Sequence, residues 1–239
     1  MNRQAQAAVM FLLGAALLHA GSTDLYLRYV KAGLQPLLLA SGGVLIAAAL
    51  ATVWYERRRN RSAGHPHDHA HPEPRISWLL LLPLLALILI APPALGSYSA
   101  LRSGTALQKP YAYGTLPTAN PAPLSVIDYA SRAAYGHGRS LHGRTVRLTG
   151  FLALDHSGAP YLVRMALNCC AADAQPVKIA LTGSLPPVLR PDAWLDVTGT
   201  YSPRLTHDPV NNGPIPYLNV TSAQPVPVPH DPYDETWNN

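Results

Sequence analysis

Cys169 and Cys170 are the only cysteines in the 239-residue chain; they are adjacent, and Asp173 follows three residues on. Thiolates and carboxylates both ligate divalent transition metals, and thiolates favour the softer ones, zinc and copper among them. A second constellation holds His65, His67, His69 and His71, interleaved with Pro66, Asp68 and Ala70. Alternate imidazoles can converge on one ion, and short histidine-rich tracts recur as metal binders. A solvated linker that takes up metal opportunistically has the same composition.

The cysteine pair admits three readings. In the first, one or both thiolates bind a metal with Asp173, helped by an imidazole such as His156 or His207. Adjacent cysteines lack the two-residue spacer of closed zinc knuckles, so the remaining ligands come from afar or one position stays open. In the second, the pair is a redox switch in an oxidising compartment; the absence of Cys-x-x-Cys argues against thioredoxin-type catalysis. In the third, both thiols are buried as small apolar groups, although neighbours on a strand face opposite sides. Metal binding, with zinc as the expected ion, is the favoured reading. Arg164 lies on the strand-like stretch leading in, and is expected to pair with Asp173 or another carboxylate and so order the loop. No nucleophile–base constellation is visible, which points to a non-catalytic protein.

These residues need a scaffold, and the chain supplies two kinds. Hydrophobic residues make up 48% of the sequence but crowd its first hundred positions. Three apolar stretches, Gln6 to Leu18, Leu34 to Tyr55 and Ile76 to Leu95, read as transmembrane helices. The first also has the form of a signal peptide, with Arg3 ahead of it and small residues after it; the spans that follow favour an anchor. The second extends roughly 33 Å as a helix, enough to cross the hydrocarbon core. Its small residues, Ser41, Gly42 and Gly43, form a face for close helix packing, either within the chain or against a partner.

The net charge of +5 is concentrated in Arg57, Arg58, Arg59, Arg61 and Arg75. That pattern is a topology signal and not a nucleic-acid footprint, and Asp231, Asp234 and Glu235 near the C-terminus agree. The positive-inside rule puts residues 56–75, histidine tract included, in the cytoplasm. Residues 1–96 are therefore expected to be a membrane region, with everything beyond on the extracytoplasmic side of the cell membrane.

Residues 97–123, rich in Pro and Gly, read as an extended connector. A short helix is expected over 124–135, capped by a serine and ended by Gly136 and Gly138. Strand patterns then occupy 145–154, 161–167, 177–181, 194–201 and 215–228, the last with prolines that suggest an edge or an irregular end. Five short strands, with Gly150 and Gly199 at mid-strand bends, predict an all-β, OB-like small barrel spanning 124–239.

Arg144-Thr-Val-Arg-Leu-Thr-Gly-Phe151 and Arg164-Met-Ala-Leu-Asn-Cys169-Cys170-Ala-Ala-Asp173-Ala174 together resemble the accessory-subunit family of two-component membrane permease complexes. Members join a membrane region to a C-terminal domain of unknown function. The resemblance implies a multi-span permease partner in the lipid bilayer and assigns no reaction. Transition-metal transport is the function that combines it with the thiol ligands. A membrane-anchored thiol redox protein, or an OB-type module for a peptide or oligosaccharide, are the alternatives.

Overall fold

The computed structural model describes residues 3–62 and 92–235, with 79, 82, 85, 86, 89 and 90 between them. His65, His67, His69 and His71, and half of the expected third span, lie outside the described residues. The chain divides into two compact units, one of Met1–Tyr26 with Ala32–Pro93 and one of Leu27–Lys31 with Ala94–Asn239.

The first unit is a helix pair, α1 (Arg3–Gly21) and α2 (Gln35–Ser62). Their spans Arg3–Gly21 and Ala32–Arg59 have mean hydropathies of 1.3 and 2.1, so two helices among the described residues are long and apolar enough to cross a membrane, against three expected. The helices meet through glycine. A Cβ on Gly14 would lie 2.8 Å from the Gly42 carbonyl oxygen, and one on Gly42 would lie 2.9 Å from Leu18 Cγ. Among the described residues a Cβ on Gly43 would meet nothing within 4 Å, so Gly14 and Gly42, and not Gly43, form the close approach.

The second unit is a closed five-stranded barrel. Its strands are β2 (Thr145–Leu154), β3 (Pro160–Leu167), β4 (Gln175–Gly183), β5 (Trp194–His207) and β6 (Pro214–Pro225). β2 pairs antiparallel with both β3 and β5, β3 with β4, and β5 with β6, while β4 and β6 close the circle in parallel. That order is the Greek-key arrangement of an OB-like barrel, as the five strand patterns predicted. Two glycines permit the tight crossings. A Cβ on Gly150 would stand 2.7 Å from the Val163 carbonyl oxygen, and one on Gly199 would stand 2.5 Å from that of Asn219.

Of the two expectations its prolines raise, β6 is not an edge, but its end is irregular: the strand stops at Pro225 and residues 226–230 carry no strand. It is paired on both sides, and the prolines sit where no ladder bond is lost. Pro214 and Pro225 are its end residues, and Pro216 precedes Tyr217, the first residue described as paired with β4. The helix α4 (Val126–Ala134) forms as expected: Ser125 is its N-cap, accepting from the Asp128 N–H at 3.0 Å. It packs on β4 and β6 and buries Val126, Ile127, Tyr129, Ala130, Ala133 and Ala134.

Residues 97–123 depart furthest from the extended connector expected. They begin with a helix, α3 (Ser97–Arg102), whose Ala100 is fully buried beside Phe151, Val163, Met165 and Trp194. Leu107 is buried in the main core, and Tyr135 Oη donates to its carbonyl at 3.0 Å. Arg132 donates to the Gly114 carbonyl and Arg144 to that of Pro117, at 2.8 and 2.6 Å. The segment ends as β1 (Ala122–Pro123), parallel to β2. It wraps the barrel because the outer faces of β2 and β3 are apolar and need a cover.

Candidate metal centre

β3 delivers the chain to Asn168, and a single 3-10 turn, Ala171–Asp173, returns it to β4. The turn exists because Asp173 caps the loop. Its Oδ1 accepts from the Asn168 N–H at 3.1 Å and its Oδ2 from the Cys169 N–H at 2.9 Å. Burial works against the charged carboxyl, but the Cys169 thiol and the N–H groups of Asn168, Cys169 and Cys170 outweigh it, holding Asp173 below its ordinary value of 3.8. The same contact pushes the Cys169 thiol up to about 11, chiefly through its hydrogen bond to Asp173 and then through the one with Cys170. A depressed carboxyl stabilises the loop at pH above its unfolded value, and the contribution is lost as pH falls through the folded value. NMR titration is therefore expected to show the Asn168 and Cys169 amides losing their hydrogen-bonded shifts only below pH 3.8. Loss near neutrality would contradict the cap.

The two thiols are free, Cys169 exposed and Cys170 half-buried, so the pair is not a packed apolar element. Sγ of Cys169 lies 3.7 Å from Sγ of Cys170, and one ligand atom from each of Cys169, Cys170 and Asp173 falls within 4.8 Å of the others. Two thiolates at about 2.3 Å from a tetrahedral zinc stand about 3.8 Å apart, so the sulfurs already have that bite. Neither His156 nor His207 joins the group. His156 lies in the β2–β3 turn, at the other end of β3 from the cysteines. Among the described residues the group offers three potential donors. Beside Asp173 opens a polar cleft of about 350 Å³ lined by Ser103, Gly104, Ala172, Ala174, Gln175 and Asn211.

Arg164 supports the loop through a different carboxylate from the nearer expectation, Asp173. Its Nε lies 3.0 Å from Asp234 Oδ1, and its Nη2 donates to the Asp231 carbonyl at 2.8 Å. Its guanidinium carbon stands 4.9 Å from the centre of the Trp194 ring. These contacts hold the short strand β7 (Tyr233–Glu235) parallel to β3, with Met165 opposite Tyr233 and Leu167 opposite Glu235. Asp173 is left to cap the cysteines.

A further support comes from a segment far away in the chain. Residues 28–31 run against the loop as a strap: Ala171 N–H donates to the Tyr29 carbonyl at 2.7 Å and Lys31 N–H to the Cys169 carbonyl at 3.1 Å. Val30 and Cys170 thereby form an antiparallel bridge of the non-hydrogen-bonded kind, in which facing side chains come closest. Tyr233 Oη donates to the Arg28 carbonyl and accepts from the Leu95 N–H, each at 3.0 Å. The only available sequence signal was the apolar alternation at Leu27, Tyr29 and the paired Val30, too short to distinguish from a loop.

No curated protein and no solved structure matches this chain. Residues 131–234, from the middle of α4 to β7 and including the cysteine loop and its Arg164 support, match the family described as the DUF1980 C-terminal domain.

Proposed function

We propose that the barrel unit binds a thiophilic divalent metal, zinc foremost, through Cys169, Cys170 and Asp173. The protein would serve as the non-catalytic accessory subunit of a multi-span permease that moves or handles that metal. The observation that carries this reading is the 3.7 Å spacing of two free sulfurs with a carboxylate beside them. A fourth position left open would suit a site that passes its ion on. A thiol near 11 is a poor nucleophile at neutral pH, which weighs against the redox alternative. Metal binding would release the proton from sulfur to solvent, with the Asp173 carboxylate beside the thiols to ligate.

The topology is part of the same proposal. Leu27–Lys31, between α1 and α2, belongs to the unit that holds the barrel. Arg57, Arg58, Arg59 and Arg61 at the end of α2 favour the cytoplasm for that end of the helix. A further crossing by the apolar stretch 76–95 would put the barrel on the extracytoplasmic side. In this reading the cysteines face outward and the four histidines inward.

Zinc titration of the full-length chain in detergent, against a chromophoric chelator, tests the metal site. Cys169→Ser/Cys170→Ser is expected to lose one equivalent that replacement of the four histidines leaves in place. Undiminished binding in the double-serine variant would refute the site. Copurification with a multi-span membrane protein tests the partner.

A further inference from the structure

The strap formed by residues 28–31 and the candidate metal loop share hydrogen bonds on both sides of Cys170. The strap is also the chain's connection between α1 and α2. Its second tie is Tyr233, whose hydroxyl bonds at once to Arg28 and to Leu95. Arg28 lies in the first passage of chain into the barrel unit, and Leu95 lies where the chain re-enters it. Both passages thus converge on one phenol, in the strand that Arg164 fixes beside β3.

We propose that this strap is a coupling element through which occupancy of the cysteine site is communicated to the α1–α2 connection. The inference rests on the metal reading above. A metal held by Cys169 and Cys170 fixes the backbone carbonyl of Cys169 and the N–H of Ala171, which flank Cys170. Those are the two groups through which the loop grips Lys31 and Tyr29. Ordering them strengthens the grip, and by linkage an intact strap tightens metal binding by the same factor. A permease partner that engages the α1–α2 connection would then sense whether the site is loaded. An equal effect in the other direction would let engagement of that connection release the ion.

The test uses the full-length chain in detergent with Zn2+ as the only added ligand. Lys31→Pro deletes the N–H that bonds to Cys169, whereas Lys31→Ala removes the side chain and keeps the donor. One hydrogen bond corresponds to about a fivefold change in an equilibrium constant. Lys31→Pro is accordingly expected to bind Zn2+ about fivefold more weakly than Lys31→Ala. Hydrogen exchange of the unaltered chain should slow across residues 27–31 when Zn2+ is added, and the Cys169→Ser/Cys170→Ser variant should show no such change. Equal affinities for Lys31→Pro and Lys31→Ala, with exchange at 27–31 indifferent to Zn2+, would overturn the coupling while leaving the metal site intact. Absence of cysteine-dependent binding in the unaltered chain would overturn both.

Discussion

Asp208→Ala is expected to destabilise the barrel unit by about 3–5 kcal/mol, because it strands a buried lysine. The Lys178 ammonium lies 2.7 Å from Asp208 Oδ2, and the two side chains are only 3% and 0% exposed. The pair is fully supported. Lys178 also donates to the Ser103 carbonyl at 2.8 Å, and Asp208 accepts from the N–H groups of Thr105 at 3.0 Å and Val210 at 2.9 Å. It joins three separate pieces of chain: β4, the turn after β5, and the wrapping segment that follows α3. Lys178→Met should cost less, since Asp208 keeps two backbone donors for its charge. The double variant Lys178→Met/Asp208→Asn should be less damaging than the sum of its parts, because neither buried charge then lacks a partner. Urea unfolding of the full-length chain, followed by exchange protection of the β4 amides, measures these variants and the single Asp208→Asn that the comparison needs. A loss below about 1 kcal/mol for Asp208→Ala would show that water reaches the pair.

Strand periodicity made the barrel legible, since inward positions such as Val146, Leu148, Val177 and Ile179 alternate with others along β2 and β4. The wrapping segment was not legible for a related reason. Phe151, Leu152 and Ala153 are all buried, so that part of β2 is covered on both faces. A run of that kind calls for a cover without saying which segment supplies it. Pro and Gly in 97–123 signalled irregular backbone, and irregular backbone can be packed as firmly as a strand when tyrosine and arginine side chains tie down its carbonyls. In the candidate site, Cys169, Cys170 and Asp173 were legible because thiol and carboxylate chemistry is carried by residue type. The strap grips the loop through N–H and C=O groups that every residue but proline possesses. Backbone pairing over so few residues leaves almost no mark on sequence. Lys178 and Asp208 show the same limit for charges, for nothing in their types reveals that they meet in the interior.

Arg164→Met is expected to weaken zinc binding by about tenfold or more while leaving all three ligands in place, and this effect has a definite route. Arg164 faces Asp234 and is held at Asp231 and Trp194, contacts that seat β7 against β3. Burial raises the Asp234 carboxyl despite the guanidinium, so without Arg164 that group takes up a proton more readily still. A group raised in the folded state destabilises as pH climbs through its folded value. The variant should therefore lose more stability at neutral pH than in mild acid. β7 then loosens and takes with it Tyr233, the tie that holds Arg28 and hence the strap over Cys170. Two bonds lost in series, at roughly 1 kcal/mol each, exceed a factor of ten in affinity. Arg164→Lys separates charge from geometry. It can face Asp234 but cannot also reach the Asp231 carbonyl with a fixed planar fork, so partial rescue is expected. Binding by Arg164→Met equal to that of the unaltered chain, with the β7 amides exchanging freely, would show that the cysteine loop is ordered by Asp173 alone. Weakened binding that Arg164→Lys partly restores would place the second layer of the site in β7, some sixty residues beyond the cysteines in the chain.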